Sequence, residues 1–282
     1  MQLIKNKRLR LFLGAVETTN LLSLRLALKN RAGLRAFPGR VFRSYMTLVK
    51  DDKWLCQSVY EIFPGAGAVR TTFEHPKDER PINTPLDDLV RLALITKIVA
   101  PKTIFEIGTF RGRTALNFAL NSPPECTVFT LDLPPEAKRA AMQRASAPDA
   151  KIISCSTPGM DYTGKDVSTK IVQLYGNSLE FDFSPYFGEM DMVYVDGAHD
   201  YEAVRIDTIN AMKMIRPGGL VLWDDFADYG DQNDVTRAVL DLLPGQEVIQ
   251  VDHTHIALHR PSQSSPMGMQ SAGMKWHNDV VH

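Results

Sequence analysis

Three acidic residues close two apolar runs: Asp196 ends MVYVD, and Asp224 with Asp225 ends LVLWDD. If both runs are strands of a parallel sheet, all three carboxylates lie at its carboxyl edge, where open α/β sheets bind ligands. Carboxylates gathered without a cation repel one another, and a hard divalent ion such as Mg²⁺ suits an oxygen-rich group of this kind. Capping of the following turn is the competing role for Asp224 and Asp225. His199 follows Asp196 by three residues, in the turn before a helix that begins near Asp200. A neutral imidazole there could take a hydroxyl proton near pH 7; the alternative is a histidine that only packs at the helix start.

Upstream, FEIGTFRGRT (residues 105–114) joins an apolar strand to a helix through Gly108 and Gly112. Glycines let a ligand approach the backbone, and a helix N-terminus offers N–H groups that lack intrahelical partners. The spacing is not the Gly-x-Gly-x-x-Gly of dinucleotide-binding loops. Asp132 ends the next strand, where a carboxylate could accept both hydroxyls of a ribose or cap the following segment. Trp223 is read as sheet packing rather than as pocket lining. His253, His255 and His259 would share a strand face only if that strand ran unbroken, and a hairpin turn expected near Asp252 breaks the register. Glu180 and Asp182 read as solvated.

These residues need elements to position them. Thr84 reads as the cap of a helix with Pro85 at its first position, and Leu86, Leu89, Val90, Ala93, Leu94 and Ile98 recur at helical spacing until Pro101 stops it. Strands are expected at 103–108, 127–132, 171–175, 190–195, 219–224, 247–251 and 254–259. Helices are expected at 112–121, 135–145, 200–215 and 233–243. Residues 146–170, with Pro148, Pro158, Gly159 and Gly164, read as an irregular loop over the site. Alternating strands and helices imply an α/β fold, a doubly wound and mainly parallel seven-stranded sheet, over residues 84–260. Residues 1–83 read as a basic, mostly helical extension, a lid or an oligomer contact, with helices at 17–29 and 51–63. Pro64-Gly65-Ala66-Gly67 is a simple turn, because no Gly-Lys-Ser/Thr follows. Residues 261–282 read as a loose tail.

Of 282 residues, 44% are hydrophobic and 23% charged, and no apolar run approaches the ~18 residues of a membrane span. The run Leu11-Phe12-Leu13 is too short for a secretion signal. Three cysteines are too few and scattered for a disulfide framework, so a reducing cytoplasmic setting is expected. The net charge of −1 divides into +10 over residues 1–50 and −11 over the remainder. Such an arm suits an anionic membrane surface, an acidic substrate, or the acidic body of this chain or of a second copy. No nucleic-acid recognition module accompanies it, so nucleic acid is not the expected partner.

The ordered motifs FEIGTFRGRTA, TLDLP, YGNSLEFDFSPY, VYVDGAHDYEAV and IRPGGLVLWDDF resemble class I S-adenosylmethionine-dependent methyltransferases over roughly residues 84–259. More narrowly, they are similar to the bacterial branch of macrocin-type O-methyltransferases and cephalosporin hydroxylase-like proteins, and more distantly to catechol-type enzymes. The resemblance implies that Glu106, Gly108, Thr109 and Gly112 form the cofactor loop, that Asp132 binds ribose, and that Asn177 and Ser178 contact adenine. It also implies that Asp196, Asp224 and Asp225 hold Mg²⁺ or another divalent ion, with His199 as the base and Asp196 beside it at the reacting centre. Where the family often has Asp, this chain has Asn177; where catechol-type enzymes have Asp-Asn, it has Asp224-Asp225. The implied activity is O-methylation of a small-molecule hydroxyl, on a sugar or a diol or catechol-like product. Metal-independent methylation of a lipid-linked glycan, a non-catalytic cofactor-binding relative and a nicotinamide-dependent dehydrogenase are the alternatives. The glycine spacing and the carboxylate edge count against the last.

Overall fold

The computed structural model describes residues 54–74, 84–227, 233–245 and 247–261. The expected helix at 17–29, the basic arm of residues 1–50 and the tail from residue 262 lie outside the described residues.

Eight strands form one sheet: β1 (Leu55–Gln57), β2 (Thr103–Ile107), β3 (Thr127–Asp132), β4 (Ile171–Tyr175), β5 (Met190–Val195), β6 (Ile215–Trp223), β7 (Ile249–Val251) and β8 (Ala257–His259). Their order is β1-β7-β8-β6-β5-β2-β3-β4. Every pairing is parallel except those of β8 with β6 and β7. The seven expected strands are present, and β1 adds an eighth. It lies where residues 51–63 read as one helix; among the described residues of that span only α1 (Val59–Ile62) is helical, started by a Ser58–Glu61 capping box. With apolar residues running together at Trp54-Leu55-Cys56 and at Ile62-Phe63, the stretch has no period-2 alternation to mark a strand. Pairing with β7 decides it.

The remaining helices are α2 (Leu86–Val99), α3 (Arg113–Asn121), α4 (Lys138–Arg144), α5 (Ala147–Cys155), α6 (Tyr201–Met214) and α7 (Asp234–Leu242). Pro85, not Thr84, is the N-cap of α2 and supplies no side-chain bond; Thr84 Oγ1 instead lies 3.3 Å from Thr114 Oγ1. Ala100 ends α2 in the left-handed region, and Pro101 follows. Asp200 and Asn233 cap α6 and α7, accepting from the N–H groups of Ala203 and Thr236.

Central strands are apolar on both faces, as parallel strands covered by helices on both sides must be. In β2, Ile104 packs into the core layer containing Leu92, Leu116 and Phe118. Its neighbour Phe105 packs into the opposite layer with Met214, Val239 and Trp223. Trp223 is fully buried and donates to Thr208 Oγ1 at 2.9 Å, so the sheet-packing reading holds. Among the described residues no helix is long and apolar enough to cross a membrane.

The chain runs from β2 outward through β3 to β4, then crosses back to place β5 and β6 on the other side of β2. The crevice between β2 and β5 is therefore the topological switch point of the sheet. The ladder continues one residue beyond these strands: Asp196 donates its N–H to Ile107 O at 2.8 Å, and Asp224 donates to Val195 O at 3.0 Å.

Candidate active site at the carboxyl edge of the sheet

Gly108 leaves β2 with φ +102°, and an added Cβ would fall 1.8 Å from the Asp196 carbonyl oxygen. Only glycine lets β2 and β5 approach this closely as they diverge. Over that divergence opens a cavity of about 180 Å³, floored by Gly108, Asp132, Asn177, Ser178, Asp196 and His199. Asp132 is fixed by accepting from the N–H of Phe110 and of Leu133, both at 2.6 Å. Burial raises its pKa, and those backbone bonds oppose the rise.

The segment expected over the site does line the cavity, but it is not the irregular loop expected there. Residues 146–170 are not irregular throughout: α5 begins there, with Ser146 accepting from Asp149 N–H and a proline in the first turn. Asp149, Ile152, Ile153 and Ser156 from this segment face the cavity. The missed signal was Ser146-Ala147-Pro148-Asp149, a cap followed by a proline and an acid in the first turn.

Glu106, Thr109 and Gly112, expected in the cofactor loop, do not line this cavity. Glu106 is fully buried beneath it and accepts from Thr130 Oγ1; Thr109 shares a hydrogen bond of 2.6 Å with the same hydroxyl and accepts from Gln173 at 3.0 Å. Burial pushes the Glu106 carboxyl up to about 8; the bond from Thr130 holds it back and the charge of Asp132 adds to the rise. Gly112 begins α3 with φ +86°, and a Cβ would meet the Tyr162 ring at 2.5 Å. These three residues shape the loop from below rather than present side chains to the cavity.

A second, narrower recess brings Asp196, His199, Asp224 and Asp225 together. Burial, then the charges of Asp224 and Asp225, raise Asp196 well above the carboxylate range. Burial, then Asp225 and Asp88, do the same to Asp224, whose Oδ1 has no hydrogen-bond partner. Asp225, with φ +53°, turns its carboxylate to His199: Oδ2 accepts from Nε2 at 2.8 Å. Asp149 accepts from Nδ1 on the other side at 2.7 Å. Burial disfavours the charged ring, but these two carboxylates outweigh it and raise His199 well above its ordinary pKa. A neutral imidazole near pH 7 was expected; instead both ring nitrogens face carboxylates, an arrangement that favours the charged ring.

Among the described residues no three His, Cys, Asp or Glu side chains converge as a metal-ligand set. Asp225 is occupied by His199, which leaves Asp196 and the unpartnered Asp224 oxygen. A hard cation that keeps waters and takes one or two protein carboxylates fits that pair. His253, His255 and His259 go separate ways: His253 to Asp252, His255 to the buried Asp88, and His259 to Glu247 O. The turn expected near Asp252 does separate them.

An open, mostly parallel sheet binds ligands at its switch point, and here a cavity lined by the strand-end carboxylate Asp132 lies at that point. Residues 105–226 match the family model described as a methyltransferase domain. A protein of Arabidopsis thaliana assigned by name to the caffeoyl-CoA O-methyltransferases is 24% identical over 151 residues, which cover 53% of this chain and 57% of that protein. The chain therefore spans little more than half the length of that relative. Among solved structures, the O-methyltransferase TomG from Streptomyces achromogenes, in complex with the cofactor, aligns with 16% identity over 76% of this chain and 99% of its own, at a TM-score of 0.47. An O-methyltransferase from Bacillus cereus aligns with 15% identity over 64% of this chain and 83% of its own, at a TM-score of 0.43.

Proposed function

We propose that the protein transfers the methyl group of S-adenosylmethionine to a hydroxyl of a small molecule. The observation that carries this reading is the switch-point cavity. Asp132 lines it, and Asp196 and His199 line both it and the acidic recess; in this reading the cavity takes a ribose and the recess a hydroxyl acceptor. Gly108, Asn177 and Ser178 complete the cofactor floor in this reading. The reaction is an in-line displacement in which the acceptor oxygen bonds the methyl carbon, the carbon–sulfur bond breaks, and the hydroxyl proton leaves. The protein's part is to hold carbon and oxygen at ~3 to 3.5 Å and to exclude water.

A divalent ion such as Mg²⁺ belongs to the same proposal, held by Asp196 and Asp224, with Asp225 able to join only when it releases His199. Such an ion would lower the pKa of a bound hydroxyl and orient it. The chain's own residues do the rest. Asp196 offers a carboxyl at the reacting edge, and His199 can accept the hydroxyl proton through Nε2 only after Asp225 turns away and Nε2 has given up its own proton to solvent. Adjacent oxygens on the acceptor, as in a sugar diol or a catechol, suit this recess.

The test is transfer of labelled methyl from S-adenosylmethionine to a panel of diols, catechols and sugars, with Mg²⁺ and with chelator. Turnover that chelator abolishes supports the whole reading; turnover indifferent to chelator removes the metal and leaves the methyl transfer. No transfer to any acceptor, by a protein that also fails to bind the cofactor, contradicts it.

A further inference from the structure

We propose that Asp149 is a positioning residue of this site, acting through His199 to fasten α5 over the cofactor cavity. Three elements meet in one linear contact: Asp149 in the first turn of α5, His199 in the turn before α6, and Asp225 just beyond β6. The two bonds, 2.7 Å and 2.8 Å, use both ring nitrogens, so the imidazole cannot rotate without losing one of them. The Asp149 side chain is only 11% exposed. With His199 33% exposed, the charge-assisted pair is enclosed on the Asp149 side and partly open on the other.

Two consequences follow from the position of α5. Its Ile152 and Ile153, with Ser156 behind them, cover the cavity whose floor holds Asp132 and Asn177. The far end of the segment is tied down separately, since Ser156 Oγ donates to Phe110 O at 3.1 Å and Lys138 Nζ to Ser156 O at 2.5 Å. Asp149 is the tie at the near end. At its near end α5 also packs against α4, and Asp149 is the side chain that ties this end, through His199, to the other elements lining the cavity. The same bond fixes Nδ1 of His199 as a donor, which turns Nε2 toward Asp225 and the acidic recess. Asp149 thus sets both the closure of the roof and the orientation of the ring.

This inference rests on the cavity being the cofactor site, so binding by the unaltered protein is measured first, with S-adenosylhomocysteine as the probe. Absence of binding there refutes the cofactor reading itself, before any variant is made. Given binding, dissociation rates are compared for Asp149→Ala, His199→Ala, the double variant and Asp149→Asn. Both single alanine variants are expected to release the probe on the order of tenfold faster. The double variant should be no faster than either, because one latch is lost in each case. Asp149→Asn keeps an acceptor for Nδ1–H and should stay within about threefold of the unaltered protein. Dissociation unchanged in Asp149→Ala, or losses that multiply in the double variant, would overturn the latch. So would an Asn variant as fast as the Ala variant, since that is the mark of general damage to α5.

Discussion

Glu106 carries a consequence that can be tested without any substrate. Its pKa of about 8 lies above the ordinary 4.5, so the folded protein holds a proton that the unfolded chain gives up. Stability from that proton is complete below about pH 4.5 and is lost as pH rises toward 8, at up to roughly 1.4 kcal/mol per pH unit. Glu106→Gln is neutral at every pH and keeps an acceptor for Thr130. Its thermal midpoint should therefore fall less than that of the unaltered protein between about pH 5 and pH 8. Parallel profiles would show that Glu106 ionises freely where it lies. Sequence placed Glu106 in the cofactor loop by resemblance. It could not show that the side chain turns down into the row formed by its register partners Thr130 and Tyr194. The acidic edge was more legible. Asp196, Asp224 and Asp225 follow strand ends directly, and strand ends are fixed by runs of apolar residues. The partner that alters His199, Asp149, lies 50 residues away in sequence and is visible only once the chain is folded.

At the scale of elements, the loop after β2 depends on two glycines whose demands differ. Gly108→Ala drives a Cβ into the Asp196 backbone, which neither strand can yield, and Gly112→Ala meets a ring that can shift. Both also place alanine at positive φ. Gly108→Ala should cost about 3 kcal/mol or more in denaturant unfolding, and Gly112→Ala less, about 1 to 3 kcal/mol. Equal small losses would contradict the close approach of β2 and β5. A second element-level device lies on α3. The fully buried Asn117 accepts from Glu74 N–H and donates to Glu74 O, both at 3.0 Å, and Asn121 makes the matching pair with Thr72 at 3.0 Å and 2.7 Å. Spaced one helical turn apart, the two amides grip alternate residues of an extended segment. Asn117→Ala removes two of these bonds and should lower stability by about 1 to 3 kcal/mol, read from the urea midpoint. Helical periodicity located α3 without difficulty. It said nothing of this clasp, because amide-to-backbone bonds to a distant segment leave no periodic trace. Elements with long apolar repeats, β2, β5, α2 and α6, were readable within a residue or so. Two others were not: β1 is a three-residue strand fixed by its pairing with the distant β7, and α5 is identified only by its cap.

For the whole molecule, the sheet order makes the account coherent. One crossover from β4 back to β5 creates the crevice, and every residue assigned to the cofactor floor or the acidic recess is presented at that one edge. Sequence conveyed this much because alternating strands and helices admit few arrangements, and right-handed crossovers leave fewer still. It did not convey the eighth strand or that the segment over the site is helical. The strand is set by tertiary pairing rather than by local pattern. The chemistry proposed here rests on the crevice being filled by S-adenosylmethionine with its ribose on Asp132. Calorimetric titration of S-adenosylmethionine into the full chain and into Asp132→Ala tests that claim most directly. The account predicts saturable one-to-one binding by the unaltered protein, weakened by about tenfold or more in the variant. Absence of saturable binding, or equal affinity in the two proteins, would contradict it.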